Sequence, residues 1–261
     1  MSRAGQLDRQ DLPETIPQPD SGRLCVSETT PEAYFAQFGE VATVKRTRFQ
    51  KVVAKTMTTN ASTIPHVTHH DDADVTALEA YRKSLPREIK ASPLIFLIKA
   101  VVSALQAFPQ FNASLTPDGE TLVLKKYFHI GIAVDGPLGL LVPVLRDCDQ
   151  KEIPTLAAEL KEVSALARAK GLPLDRMLGG CFAISSLGGI GGTYFTPIIN
   201  SPDVAILGVS GIQTKPVWNG SEFAPRQMLP LSLSYDHRVI NGADAARFVK
   251  HIAHALTQWT L

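Results

Sequence analysis

The chain has 261 residues, within what one large α/β domain can hold, and 44% of them are hydrophobic, enough for a sizeable core. Its 26 Lys and Arg against 25 Asp and Glu leave a net charge of +1, which argues against a partner recruited mainly by charge, such as nucleic acid or an anionic membrane. No apolar run reaches the length of a membrane span. Residues 1–24 lack the apolar core of a secretory signal, and Asp8, Asp11, Glu14 and Asp20 disfavour a mitochondrial transit peptide. Cys25, Cys148 and Cys181 are widely spaced and odd in number, so they form neither a disulfide framework nor a CxxC metal pair. A reducing cytoplasm is the simplest setting, with Cys148 and Cys181 as buried small hydrophobes.

Residues 1–33 are rich in Pro, Asp, Ser and Gln and show little periodicity, as in a flexible arm or linker. Val41 to Met57 reads as a short strand followed by a basic helix over Arg48 to Met57. Pro65-His66-Val67-Thr68 begins a strand. Asp74-Val75-Thr76 then opens a helix with an acidic or hydroxyl cap, supported by Glu79. Ser92-Pro93 starts a second helix through Ala107, apolar on most faces and so buried on several sides. Leu122 to Asp135 alternates into strands around Lys125-Lys126. Gly139 to Val144 reads as a near-continuous apolar strand in a central, buried position. Ile153 to Lys170 is a long amphipathic helix ended by Gly171. Strands follow over Cys181 to Ser186, Asp203 to Ser210 and Leu229 to Tyr235, and a closing helix over Ala243 to Leu256. Strands and helices mix without regular βαβ repeats, which predicts an α/β fold: a two-layer sandwich with a mixed β-sheet.

Ser234-Tyr235-Asp236-His237-Arg238-Val239-Ile240-Asn241-Gly242-Ala243-Asp244 places a His four residues before Asn-Gly, at the end of an alternating strand. This stretch resembles the active-site signature of the acyltransferases that move acyl groups between dihydrolipoamide and coenzyme A, the core (E2) components of the 2-oxoacid dehydrogenase complexes. The His-x-x-x-Asp/Asn-Gly pattern also occurs in chloramphenicol acetyltransferase, whose fold the resemblance implies here. It begins near Phe38-Gly39-Glu40 and runs to the C-terminus, so it divides the chain into an arm or linker over residues 1–37 and a catalytic domain over residues 38–261.

The resemblance implies that His237 is the general base that takes the proton of the attacking thiol. A free thiol, with a pKa of about 8.5, is mostly protonated at pH 7, and a base of pKa about 6.5 within hydrogen-bond reach generates thiolate as attack occurs. A lone His would otherwise be a capping or core residue; the motif and its long flanks outweigh that. Asn241 stands where the wider family mostly has Asp. A neutral Asn can only hydrogen-bond, so it either supports catalysis or serves only the Asn-Gly turn. Ser185 matches the family serine that donates to the tetrahedral oxyanion. Ser186 should face the other way on the strand, and preferring Ser185 over it rests on the resemblance alone.

By the same resemblance the active site lies between subunits, with His237 and Asn241 from one and Ser185 from its neighbour. A homotrimer is then the minimum active unit, assembling into a larger cage. The acyl carriers are coenzyme A and a lipoyl group, and the partners are a lipoyl domain and the E1 and E3 enzymes of the complex. No lipoyl-domain segment is recognisable in the chain. Trp259 and Leu261 are candidates for docking between trimers, or else pack on their own subunit. Arg82 resembles a basic position near the phosphates of coenzyme A; an exposed helix Arg is the commoner explanation. The features Ser185-Ser186-Leu187-Gly188 and Ile206-Leu207-Gly208-Val209-Ser210 place the chain nearest the pyruvate (acetyl) branch. A chloramphenicol-type O-acetyltransferase and a non-catalytic core subunit are the rival functions.

Two further clusters need another explanation. Gly188-Gly189-Ile190-Gly191-Gly192 lacks the Lys-Ser/Thr of a P-loop and the register of a dinucleotide fingerprint, and reads as a loop allowing close backbone approach. His66, His69, His70, Asp71, Asp72 and Asp74 are ligand-type residues, but alternation puts His69 and His70 on opposite strand faces, which argues against a metal site.

Overall fold

The computed structural model describes residues 30–86, 91–136 and 139–259. The chain divides into two units, with the boundary between Thr47 and Arg48. The described part of the first unit holds one short helix, α1 (Pro31–Phe35). Most of the arm expected over residues 1–33, and Cys25 with it, lies outside the described residues. The strand expected from Val41 forms no ladder: Val44 is 89% exposed, and no neighbouring chain pairs with it among the described residues.

The second unit runs α2 (Arg48–Thr63), β1 (His66–Asp74), α3 (Thr76–Ser84), α4 (Pro93–Ala107), β2 (Ala113–Leu115), β3 (Leu122–Leu124), β4 (Ile130–Gly136), β5 (Gly139–Leu141), β6 (Val144–Leu145), α5 (Ile153–Lys170), β7 (Phe182–Ser186), β8 (Ala205–Val209), β9 (Gln213–Trp218), β10 (Phe223–Asp236) and α6 (Gly242–Thr257). The main sheet has the order β1-β10-β8-β7-β4-β5, with β6 also on β4 and β9 also on β10. The β4–β7 and β7–β8 pairs are parallel and the others antiparallel, so the sheet is mixed as expected. β2 and β3 form a separate hairpin.

One face of the sheet carries the helices. α6 packs on β1, α5 on β4, and α4 lies against both α5 and α6. Alternation along β10 sends Leu229, Leu231, Leu233 and Tyr235 into this core, with Leu207 and Val209 of β8 and Ile184 of β7. α4 is buried along most of its length, from Ile95 to Leu105, as its all-round apolar sequence requires. Trp259 closes the same layer, edge-on to Phe96 with ring centroids 5.1 Å apart, so its indole packs on its own subunit. Leu261 lies outside the described residues.

Several elements depart from the sequence expectation. α2 continues six residues past Met57, through Thr-Thr-Asn-Ala-Ser-Thr, a run of mostly weak helix formers. Tertiary contact overrides propensity there: the Asn60 side chain is buried and donates to the Ile199 carbonyl at 3.0 Å, and Ser62 and Thr63 return their hydroxyls to the carbonyls of Thr58 and Thr59. The apolar run from Gly139 to Val144 is two short strands at the β4 edge rather than one central strand. Pro143, which has no N–H to give the ladder, divides it. The helix at Thr76 has Val75 at its cap with no side-chain bond, and the Asp74 carboxylate takes the Thr76 N–H from one residue earlier, at 2.9 Å.

Cys148 and Cys181 are both buried, and burial pushes each thiol up from 9.0 to about 11, against the lowering effect of nearby backbone hydrogen bonds. The folded chain therefore keeps two protons that the unfolded chain loses as pH rises through 9. Their contribution is intact below about pH 9 and is lost between about pH 9 and 11. Urea melts at pH 8 and pH 10.5 should show a loss of stability that is smaller in the Cys148→Ala and Cys181→Ala variants; equal losses in all three proteins would contradict this.

Candidate active site

Ser185 lies on the face of the sheet opposite α4, α5 and α6. β7 alternates, so Ser185 and Ser186 part company as expected. Ser185 opens on a cavity of about 440 Å³ together with Ala133, Ala183 and Ile206 from the sheet. Ser186 lines separate cavities on the helix side, beside Leu94 and Leu97 of α4 and Ala157 and Leu160 of α5. Much of the remaining wall of the Ser185 cavity is supplied by α2, through Phe49, Val52, Val53 and Met57, and by the Phe195–Asn200 stretch of the loop after β7, with Leu140 to Val142 and Met177 completing it. Its lining is mostly apolar, so a hydroxyl donor there works in a low-dielectric setting.

The loop approaches the sheet closely at one point. A Cβ on Gly208 would stand 2.7 Å from the Phe195 ring, so only glycine leaves that ring room to lie on β8 beside Ser185. Within the glycine run, Gly188 lies close to the neighbouring backbone, its carbonyl oxygen 3.3 Å from where a Cβ on Gly211 would stand. Gly189, Gly191 and Gly192 have open space around them, and the last two use their freedom for positive φ, +145° and +86°.

His237 follows the last residue of β10 and is exposed. Backbone holds it in place: its N–H donates to the Pro65 carbonyl at 3.0 Å, at the start of β1. The turn after it is built by Asp236, which is 2% exposed. The Asp236 carbonyl accepts the N–H groups of Val239 and Ile240, and its carboxylate accepts the Arg238 N–H and guanidinium, the shortest contact being 2.6 Å. The imidazole leans on Tyr235, ring centroids 5.9 Å apart, and makes no hydrogen bond among the described residues. Asn241 is the N-cap of α6. Its Oδ1 accepts the Asp244 N–H at 2.9 Å and its Nδ2 donates to the Asp244 carboxylate at 2.8 Å.

Within one chain His237 and Ser185 do not meet. Strand register puts Ser185, Gly208 and Ser232 in one row across β7, β8 and β10. His237 lies five residues beyond Ser232, so the two backbones are separated by roughly 17 Å along the strands and roughly 10 Å across them. Proton transfer and oxyanion stabilisation need contacts of about 3 Å.

Arg82 lies apart from these groups, on α3, with Nε and Nη2 donating to Glu79 at 2.8 and 2.7 Å. Two of the three histidines of β1 are engaged in the fold. His66 contacts Ile64 and Ile199, and His70 contacts the Ser232 hydroxyl at 3.0 Å. Among the described residues no group of three His, Cys, Asp or Glu side chains is arranged to hold a metal ion. Sequence reasoning missed the α2 wall. The α2 signal was present as Phe49, Val52, Val53 and Met57, apolar positions within a helix read only for its basic residues.

The profile of the family described as 2-oxoacid dehydrogenases acyltransferase (catalytic domain) matches residues 38–261. The chain belongs to this family. It is 53% identical over 234 residues to the dihydrolipoyllysine-residue acetyltransferase component of the pyruvate dehydrogenase complex of Cupriavidus necator, an alignment covering 88% of this chain and 42% of that one. The chain thus spans about two fifths of the length of the curated relatives it matches most strongly. Among solved structures it is 51% identical, with a TM-score of 0.84, to Azotobacter vinelandii dihydrolipoamide acetyltransferase, covering 86% of this chain and 94% of that one. That structure concerns the role of a serine, a histidine and an asparagine in the catalytic mechanism. The cubic core of a pyruvate dehydrogenase multienzyme complex matches at 52% identity and the same TM-score and coverage. Chloramphenicol acetyltransferase, 15% identical with a TM-score of 0.54 over 83% of this chain and 99% of that one, shares the fold. Among the described residues no helix is long and apolar enough to cross a membrane.

The Asn241 geometry gives a physical reason for an amide rather than a carboxylate at this position. A carboxylate at this position would keep the cap but set two carboxylates against each other, where Nδ2 now donates to Asp244. Asn241→Asp should lower stability by about 1 kcal/mol at pH 7, the lost charge-assisted bond outweighing the favourable helix dipole. Thermal melts should show the loss largely restored by Asp244→Asn in the same chain; a fully stable single variant would refute the argument.

Proposed function

We propose that this chain is an acetyltransferase core that moves an acetyl group between coenzyme A and dihydrolipoamide within a pyruvate dehydrogenase complex. His237 is the base, Ser185 the oxyanion donor and Asn241 the residue that fixes the turn between the base and α6. One observation carries the assignment. In the Azotobacter enzyme the serine, histidine and asparagine named for catalysis are spaced 52 and then four residues apart, and Ser185, His237 and Asn241 repeat both spacings. Ser186 does not, and its side chain lies on the other face of the sheet.

The reaction proceeds by direct attack. His237 accepts the proton of the incoming thiol, and the sulfur attacks the carbonyl carbon of the acetyl thioester. The oxygen takes the negative charge and accepts a hydrogen bond from the Ser185 hydroxyl. The tetrahedral intermediate collapses, the departing sulfur recovers the proton from His237, and no enzyme nucleophile is needed. The apolar lining beside Ser185 strengthens that hydrogen bond, because it offers few other polar groups and a lower local dielectric.

The separation of His237 from Ser185 within one chain supports a site shared between subunits. We place the base of one subunit against the Ser185 cavity of the next in a homotrimer, and the likeness to a cubic core favours a larger cage. The lipoyl domain that carries the acyl group, and the E1 and E3 enzymes, are its partners in this scheme. Residues 1–37 are the arm or linker and residues 38–261 the catalytic domain, in a bacterial cytoplasm. Arg82 is kept as a contact for the phosphates of coenzyme A, since Nη1 makes no hydrogen bond among the described residues while Glu79 orients the guanidinium.

Acetyl transfer from acetyl-CoA to free dihydrolipoamide tests the proposal. The wild type should be active, His237→Ala should abolish most of the activity, and Ser185→Ala should lower turnover roughly 10²- to 10³-fold. Ser186→Ala should leave turnover close to wild type. An inactive wild-type trimer would point to a scaffold role, and activity on chloramphenicol but not dihydrolipoamide to an O-acetyltransferase.

A further inference from the structure

His66 is absorbed neither by the mechanism nor by a metal, yet both its ring nitrogens are bound. Nδ1 lies 2.8 Å from the Ile64 carbonyl, which can only accept, so Nδ1 carries the proton. Nε2 faces the Ile199 N–H at 3.0 Å, which can only donate, so Nε2 is the bare acceptor. The surroundings thus select one neutral tautomer. The backbone of Ile199 is held at its next peptide group too, because its carbonyl accepts from the buried Asn60 at 3.0 Å. Ile199 itself is fully buried against Ile64, Ala183 and Ile206. Its two neighbours, Ile198 and Asn200, stand in the wall of the Ser185 cavity.

We propose that His66 is a positioning residue: as the Nδ1-protonated neutral imidazole it pins the Ile199 peptide, and so sets the wall of the cavity on which Ser185 opens. The residue before it does the corresponding service for the base, since the Pro65 carbonyl holds the His237 N–H. The Pro65-His66 dipeptide therefore fixes, in one subunit, the backbone of the base and the wall around the oxyanion donor. These two serve different sites if the trimeric arrangement above is right, and this inference rests on that proposal for its catalytic meaning.

Two substitutions separate the bonds. In His66→Gln the Oε1 reaches the Nε2 position and can accept from Ile199, while the Ile64 contact is lost. In His66→Asn the Nδ2 reaches the Nδ1 position and can donate to Ile64, while the Ile199 contact is lost. Each variant loses one hydrogen bond, so a merely structural role lowers both alike. Positioning predicts a split. Acetyl transfer by His66→Gln should stay near wild type, and kcat/KM of His66→Asn should fall roughly 10- to 100-fold with the assembly and the thermal midpoint matched between the two. Hydrogen exchange at the Ile199 amide, read by mass spectrometry on the intact assembly, should be slow in wild type and His66→Gln and fast in His66→Asn. Equal exchange in the two variants would overturn the proposal whether or not the protein transfers acetyl groups. Equal kcat/KM in three active proteins would overturn it as well. A wild type that protects Ile199 but transfers nothing would count against the acetyltransferase function and leave the pin standing.

Discussion

The antiparallel ladder between β1 and β10 decides where His237 and the turn after it stand. Nine consecutive pairs, from His66 opposite Asp236 to Asp74 opposite Met228, lock the two strands in one register. A slip of one residue would turn Leu231, Leu233 and Tyr235 out of the core and Ser232, Ser234 and Asp236 into it. The ladder ends at the Pro65–His237 hydrogen bond, so the pairing that builds the sheet also places the base. Asp236, the last residue of β10, then accepts from four backbone and side-chain groups of the next residues and fixes the turn into α6. A strand buried on both faces with hydroxyls on one of them must satisfy those hydroxyls locally. Thr68 does so for Ser234, at 2.8 Å, and His70 for Ser232.

Most of the regular elements were legible because their signals are periodic. α4, α5 and α6 are found within a residue or two of the expected limits, since Ser92-Pro93, Gly171 and Asn241-Gly242 are strong boundary signals. The errors fall where a distant partner decides. The last turns of α2 depend on Ile199, 139 residues away from Asn60. The split at Pro143 depends on which strand that segment joins. The β9 strand went unseen because its residues alternate between half-buried and exposed positions and carry a proline, Pro216, on an edge.

The candidate site divides in the same way. His237 and Asn241 are visible in a short local motif. Ser185 is visible only by resemblance, because alternation says that Ser185 and Ser186 face opposite ways without saying which face holds the cavity. The cavity face becomes known only when α2 and the loop after β7 are in place. The Phe195 contact with Gly208 was beyond reach, as nothing in either segment announces the other.

The separation of base and oxyanion donor within one subunit has a physical consequence for how the site is made. A strand-end His and a mid-sheet Ser, two strands apart, cannot be brought together by side-chain motion, because the sheet between them is a rigid ladder. A small loop rearrangement that would complete a monomeric site is therefore excluded. The proposed function instead has the site completed by a second copy, in which each face would contribute what its own register already fixes. Precision then comes from two rigid bodies meeting rather than from a flexible segment closing, and the geometry is set by the residues that hold each half in place. On the base side these are Pro65, Asp236 and the cap of α6. On the donor side they are Gly208, Asn60 and His66. Of these only the cap, Asn241, belongs to the His-x-x-x-Asn-Gly motif that the sequence offered; the others would act by holding a backbone or ring in place.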